Sequence, residues 1–173
     1  MKIFAISGSL RADSSNHNVL RFLKDQLPAS FDFTIYENLG KIPPFDPGID
    51  NDQPPEPVDE LRNFMSEADA VIICTPEYAF GVPGQLKNAL DWTVSSGSLA
   101  DKPLALITAS TNGTNAHAAL LLILGALSAQ LVEAAALLIP FIRSKIDSNG
   151  NITDNETAEN LKTVLTALLN AIN

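Results

Sequence analysis

Short apolar runs alternate along the chain with longer segments whose apolar positions recur every three or four residues. Lys2–Ser7 (KIFAIS) predicts a first strand. Asn16–Leu27, with Val19, Leu23 and Leu27 on one face, predicts a helix. Phe31–Tyr36 predicts a second strand. The stretch Lys41–Pro57, with six prolines and four acids, predicts an irregular surface loop. Pro57 opens a helix with the stripe Val58, Leu61, Met65 and Ala68. Ala70–Thr75 (AVIICT) is almost continuously β-branched, as befits a central strand covered on both faces. A helix over Gln85–Val94 follows, with Leu86, Leu90 and Val94 facing inward. Then come a strand over Pro103–Ala109, a helix over Ala116–Leu127 and a strand over Leu131–Ile139. The last helix, Asp154–Ile172, carries the stripe Leu161, Leu165, Leu168 and Ile172, with a capping box from Thr153 and Glu156.

Five strands alternating with helices, without repeats or a long linker, predict an α/β chain folding as a single domain over residues 1–173. The simplest arrangement is a five-stranded parallel sheet with helices on both faces. At this length that means a flavodoxin-like three-layer sandwich of order 2-1-3-4-5. In such a sheet ligands bind beyond the carboxyl ends of the strands, where strand order reverses. The polar loops after the first, third and fourth strands all fall on that edge and can form one site.

The formal charge of −9 argues against general binding to nucleic acid or to anionic membranes, both of which reward basic patches. An anionic ligand must then be held by local donors. One cysteine, Cys74, leaves no internal disulfide or cysteine metal cluster and fits a reducing, cytoplasmic compartment. The N-terminal apolar run is too short for a signal peptide. Ala118–Leu127 is about half the roughly twenty residues that a membrane span needs. Asp46–Asp52 (DPGIDND) lacks the glycine and glutamate spacing of a calcium loop and reads as a solvated segment.

The first polar loop, Gly8–Asn16 (GSLRADSSN), lies between a strand and a helix. A helix start offers unpaired N–H groups and partial positive charge, which suits a phosphate. Gly8 permits a sharp turn, Ser9, Ser14 and Ser15 add hydroxyls, and Arg11 adds a forked cation. The alternative is an ordinary connection in which Ser14 or Ser15 merely caps the helix. The spacing matches neither GxxxxGK[ST] nor GxGxxG and points to a mononucleotide. The second loop leads from Thr75 to Trp92 and the third from Thr108 to His117. In the third, Thr114 or Asn115 can equally cap the next helix. His117 lacks an evident carboxylate partner, and Cys74 reads as an inert buried thiol. No catalytic triad, acid–base pair or metal cluster is legible.

The segments Gly8–Asn16 and Pro76–Trp92 (PEYAFGVPGQLKNALDW) together resemble the NADPH-dependent FMN reductase family, whose motifs look like GSLRxxSxN and PEYNxxxPGxLKNAxDW. The likeness runs in outline along essentially the whole chain. It implies bound FMN and NADPH or NADH as co-substrate. A ping-pong transfer to quinones, free flavin or similar small acceptors follows, as does assembly into homodimers or homotetramers. It also implies which residues form the cofactor site. Ser9, Arg11, Ser14, Ser15 and Asn16 would serve the phosphate end. Pro76, Glu77, Tyr78, Ala79, Ser110, Thr111 and Gly113 would serve the ring. Asn88, Asp91 and Trp92 read as structural, and Lys87 as a solvated helix position.

Two departures stand out. Ala79 replaces the asparagine usual after the PEY triplet, which removes a side-chain amide from the ring end. The third loop has Gly113 where paired glycines are common. Two other readings share the fold: a non-enzymatic electron carrier or flavin-binding regulatory protein, and a scaffold that has lost the flavin. No site for a coenzyme 2′-phosphate is legible.

Overall fold

A computed structural model describes residues 1–172. Its elements follow the predicted alternation. They are β1 (Lys2–Ser7), α1 (Ser15–Asp25), β2 (Asp32–Tyr36), α2 (Glu56–Glu67), β3 (Ala70–Thr75), α3 (Gly84–Asp91), β4 (Pro103–Ala109), α4 (Thr114–Ala126), β5 (Gln130–Ile139) and α5 (Asn155–Ile172). Short 3₁₀ turns occupy Leu39–Lys41 and Ile142–Lys145. The five strands form one parallel sheet in the order β2-β1-β3-β4-β5, as the pattern predicts.

Alternate residues of the central strands feed two cores. Phe4, Ile6, Val71, Ile73, Leu104 and Leu106 pack against α2, α3 and α4. Ile3, Ala5, Ile72, Cys74, Ala105 and Ile107 pack against α1 and α5. Every residue of β3 is buried, which explains its lack of polar alternation.

The proline-rich loop is pinned rather than free. Asn88 Nδ2 and Trp92 Nε1 both donate to the Pro43 carbonyl, at 2.8 and 2.9 Å, and Gln85 donates to Leu39 and Ile42. Arg62 bonds Asp50 at 2.7 Å and also the Trp92 carbonyl. Asn88 and Trp92 thus hold this loop over the α3 face, in keeping with their structural reading.

Three local expectations are corrected. Helix α3 ends at Asp91, so Val94 lies past it and is 63% exposed instead of facing inward. Helix α5 is capped by Asp154, whose carboxylate accepts from Thr157 N–H at 2.9 Å. Thr153 turns its hydroxyl to the Lys145 carbonyl, so no capping box forms. In β5 the partner steps from Leu131 to Ala136 while β4 advances only from Leu104 to Leu106. This bulge accounts for the weak strand pattern around Glu133.

Candidate functional site

Why the first loop turns where it does is a matter of space. A Cβ on Gly8 would sit 2.2 Å from Thr75 Oγ1, and Gly8 N–H donates to the Cys74 carbonyl at 2.8 Å. Glycine is required because β3 passes so close, and not by a positive φ. Beyond it, Ser9 N–H bonds the Ser7 hydroxyl, Arg11 N–H reaches the Ser9 hydroxyl, and Ser14 N–H bonds the Arg11 carbonyl. The Ser14 hydroxyl oxygen accepts from His17 N–H at 3.1 Å as the N-cap of α1. Capping therefore falls to Ser14, while Ser15 begins the helix at the cleft. Asn16 is buried, and its side-chain oxygen accepts from the Cys74 thiol at 3.4 Å. Its amide nitrogen has no hydrogen bond among the described residues and remains a donor at the cleft. Burial pushes the Cys74 thiol up, so it stays protonated and inert.

Loops two and three are sewn together by Glu77. Its N–H donates to Ser110 Oγ at 3.1 Å, and its carboxylate accepts from Ala116 N–H at 2.9 Å and Gly113 N–H at 3.4 Å. The carboxylate thus caps the start of α4 from another loop, and with the N–H on Ser110 only the carbonyl of Glu77 is left to face a ligand edge. Ser110 is held on both sides, its N–H on the Ile139 carbonyl and its carbonyl on Ile142 N–H. Tyr78 places its hydroxyl 3.4 Å from that of Ser9, linking the second loop to the first.

Residues 78–81 form a two-residue hairpin. Tyr78 and Gly81 exchange both backbone hydrogen bonds, and Ala79 and Phe80 between them have φ of 48° and 60°. Two positive φ values in such a turn define type I′, which favours asparagine and glycine. Position 79 thus carries a conformational demand, which asparagine meets through its tolerance of the left-handed region.

These loops enclose a cleft of about 320 Å³. It is lined by Ser9, Arg11, Ser14, Ser15, Asn16, Pro76, Glu77, Tyr78, Ser110 and Thr111, all anticipated from the sequence. Ala79 and Gly113 do not line it. Gly113 is a buried turn residue (φ 93°) whose added Cβ would meet Leu138 at 2.8 Å. Ala109, Ile142 and Arg143 line the cleft without having been anticipated. Ala109 closes β4 just before the third loop, and the signal for Ile142 and Arg143 was the fifth strand itself, because the loop after β5 reaches the same sheet edge as the other three. The side chains of Arg11 and Arg143 have no hydrogen-bonding or ionic partner among the described residues. Two unneutralised guanidiniums, the start of α1 and free hydroxyl protons make a fitting cradle for a phosphate-bearing ligand. Among the described residues no cluster of His, Cys, Asp and Glu can hold a metal. His117 lies on α4 with Nδ1 2.9 Å from Thr108 Oγ1, and burial lowers its pKa below the ordinary imidazole value.

Fold and cleft together define a flavodoxin-like protein with a mononucleotide site at the carboxyl edge of its sheet. The NADPH-dependent FMN reductase family model matches residues 1–143, and the chain belongs to that family. It is 33% identical over 174 residues to a quinone reductase of Escherichia coli K12, covering 96% of this chain and 93% of the relative. It is 32% identical to a 2-hydroxy-1,4-benzoquinone reductase of a Burkholderia species, covering 95% and 92%. The structure of FerB, a flavoenzyme NAD(P)H:(acceptor) oxidoreductase of Paracoccus denitrificans, superposes with a TM-score of 0.85 at 28% identity, covering 99% and 96%. The chain is thus an oxidoreductase of a family that works with FMN and a nicotinamide coenzyme.

Proposed function

We propose that this protein is an FMN-dependent NAD(P)H oxidoreductase that passes electrons by a ping-pong mechanism to quinones, free flavin or similar small acceptors. The observation that carries the reading is the convergence of Arg11, Ser9, Ser15 and Asn16 with Pro76–Tyr78 and Ser110 on one cleft. In this reading Arg11, the hydroxyls of Ser9, Ser14 and Ser15, the Asn16 amide and the N–H groups opening α1 hold the FMN phosphate. Pro76, the Glu77 backbone, Tyr78, Ser110 and Thr111 seat the ring edge. Ala79 and Gly113 act indirectly, by fixing the turns that shape that edge. FMN, when bound, supplies the redox chemistry, taking reducing equivalents from NAD(P)H and delivering them to the acceptor. The chain's own part is to orient the two partners and exclude competing ones, which needs no acid–base side chain.

Quinones are favoured as acceptors because the E. coli and Burkholderia relatives are named for quinone reduction. We further assign residues 1–173 to one domain working in the cytoplasm, in line with its lone buried thiol. No helix among the described residues is long and apolar enough to cross a membrane. Assembly into a homodimer or homotetramer is supported by α4, which is apolar all round yet leaves Leu121 and Leu122 37% and 78% exposed.

The decisive experiment loads purified protein with FMN and follows NADH and NADPH oxidation against benzoquinone, an azo dye, chromate and free FMN. Turnover with parallel double-reciprocal lines is expected. A flavin-loaded protein that turns over with neither coenzyme would instead be an electron carrier.

A further inference from the structure

Next to the cleft lies a second cavity, of about 500 Å³, that shares Arg11, Ser15 and Arg143 with it. Three of the chain's four arginines, Arg11, Arg21 and Arg143, face this cavity; the fourth, Arg62, is committed to Asp50. Gathering them is notable in a chain of net charge −9, because like charges are kept together only where something offsets their repulsion. The protein supplies little of that offset. Arg11 and Arg143 have no side-chain partner among the described residues, and Arg21 donates only to the neutral Asn18 Oδ1.

Two carboxylates line the same cavity, Asp13 and Asp147. Asp147 is occupied by its own loop, accepting from Asn149 N–H, Asn151 N–H and Asn151 Nδ2, each at 2.9 Å. Asp13 forms no ion pair among the described residues. The wall is also built to hold Arg21 in place. Gly150 (φ 87°) approaches so closely that an added Cβ would lie 2.8 Å from Asn18 Nδ2, and Asn18 in turn accepts from Arg21.

We propose that this cavity binds a second nucleotide phosphate, the ribose 2′-phosphate that distinguishes NADPH from NADH, through Arg21 and Arg143, with Arg11 shared with the flavin phosphate. The proposal rests on the flavin reading above and adds to it a preference between coenzymes. A dianionic phosphate meets guanidiniums in the forked geometry they favour. NADH offers only a hydroxyl at that position.

The test titrates 2′,5′-ADP and 5′-AMP into the protein by calorimetry, with and without FMN present. The wild type should bind 2′,5′-ADP roughly tenfold or more tightly than 5′-AMP, a ratio in line with charged hydrogen bonds. Arg21→Ala should reduce that preference to within about twofold while leaving FMN affinity unchanged, since Arg21 does not line the flavin cleft. Arg143→Glu should abolish it, and the NADPH/NADH ratio of kcat/KM should fall in parallel. FAD provides a separate arm. If FAD outcompetes FMN in an Arg21-dependent way, the cavity serves the flavin's own adenylate and the coenzyme proposal falls. Equal binding of 2′,5′-ADP and 5′-AMP by the wild type overturns the proposal without recourse to any variant. Discrimination that persists in a protein unable to take up FMN would leave the subsite standing and remove only the flavin reading.

Discussion

The Glu77 carboxylate, carried on the loop after β3, accepts the Ala116 N–H at 2.9 Å and so closes the N-terminus of α4. Gly113, the residue preceding that helix, has no side chain with which to cap it. The negative charge also complements the positive end of the helix dipole. Replacing Glu77 by Ala should cost about 1–2 kcal/mol, the loss of a cap to partly buried N–H groups. That corresponds to a fall in Tm of about 2–4 °C per kcal/mol in a chain of this size. Glu77→Gln keeps an acceptor and should lose less. Denaturant unfolding with an unchanged m-value checks both.

A second prediction follows from the hairpin at Tyr78–Gly81. Ala79 and Phe80 both occupy the left-handed region, where a side chain costs about 1 kcal/mol. Phe80 is 78% exposed, so its removal forfeits little packing. Ala79→Asn and Phe80→Gly should each raise Tm by about 2–4 °C, the equivalent of about 1 kcal/mol. If Ala79→Asn left Tm unchanged yet tightened FMN markedly, the amide would matter for ligand contact rather than for the turn.

At the phosphate end, Arg11 stands with no protein partner for its guanidinium. Truncating it to Ala removes a charge-assisted contact and should weaken FMN about 10–100-fold, as expected for hydrogen bonds to a charged group. Riboflavin, which lacks the phosphate, should be nearly indifferent to the change. Fluorescence quenching titrations of both flavins separate the two effects. An equal loss for riboflavin would place Arg11 at the ring.

Much of this is legible in the sequence because the signals are local. The buried β3 run AVIICT and the stripes of α1, α2 and α5 report periodicity, and periodicity follows burial. The strand order then follows from parallel crossovers. What stayed hidden depends on distant approach. Gly8 faces Thr75, Glu77 caps a helix almost forty residues onward, and Gly150 leans on Asn18. No short window of sequence contains both members of such a pair. Arg143 was missed for a different reason: its loop follows a bulged edge strand whose polarity pattern is weak, so that loop was not counted among those at the ligand edge. At Ala79 the sequence shows the missing amide but not the left-handed backbone that the turn imposes there.

The cap of α5 makes a prediction in pH. Asp154 Oδ1 accepts from the Thr157 hydroxyl at 2.5 Å and Thr157 N–H at 2.9 Å, and faces Lys145 Nζ at 3.0 Å. The Thr157 hydroxyl first, and then Lys145, hold its pKa down to about 2, against roughly 3.9 in an unfolded chain. A depressed folded-state value means that the unfolded chain takes up protons first on acidification. The stabilisation is therefore complete above the unfolded value and is lost as pH falls from about 4 towards 2. Asp154→Asn retains a cap acceptor but removes the charge. The Tm difference between wild type and this variant should be flat from neutral pH to about 5 and should shrink steadily below it. Other carboxylates titrate in both proteins and cancel in the difference. A gap that persists undiminished to pH 2 would mean that Asp154 acts through its shape alone.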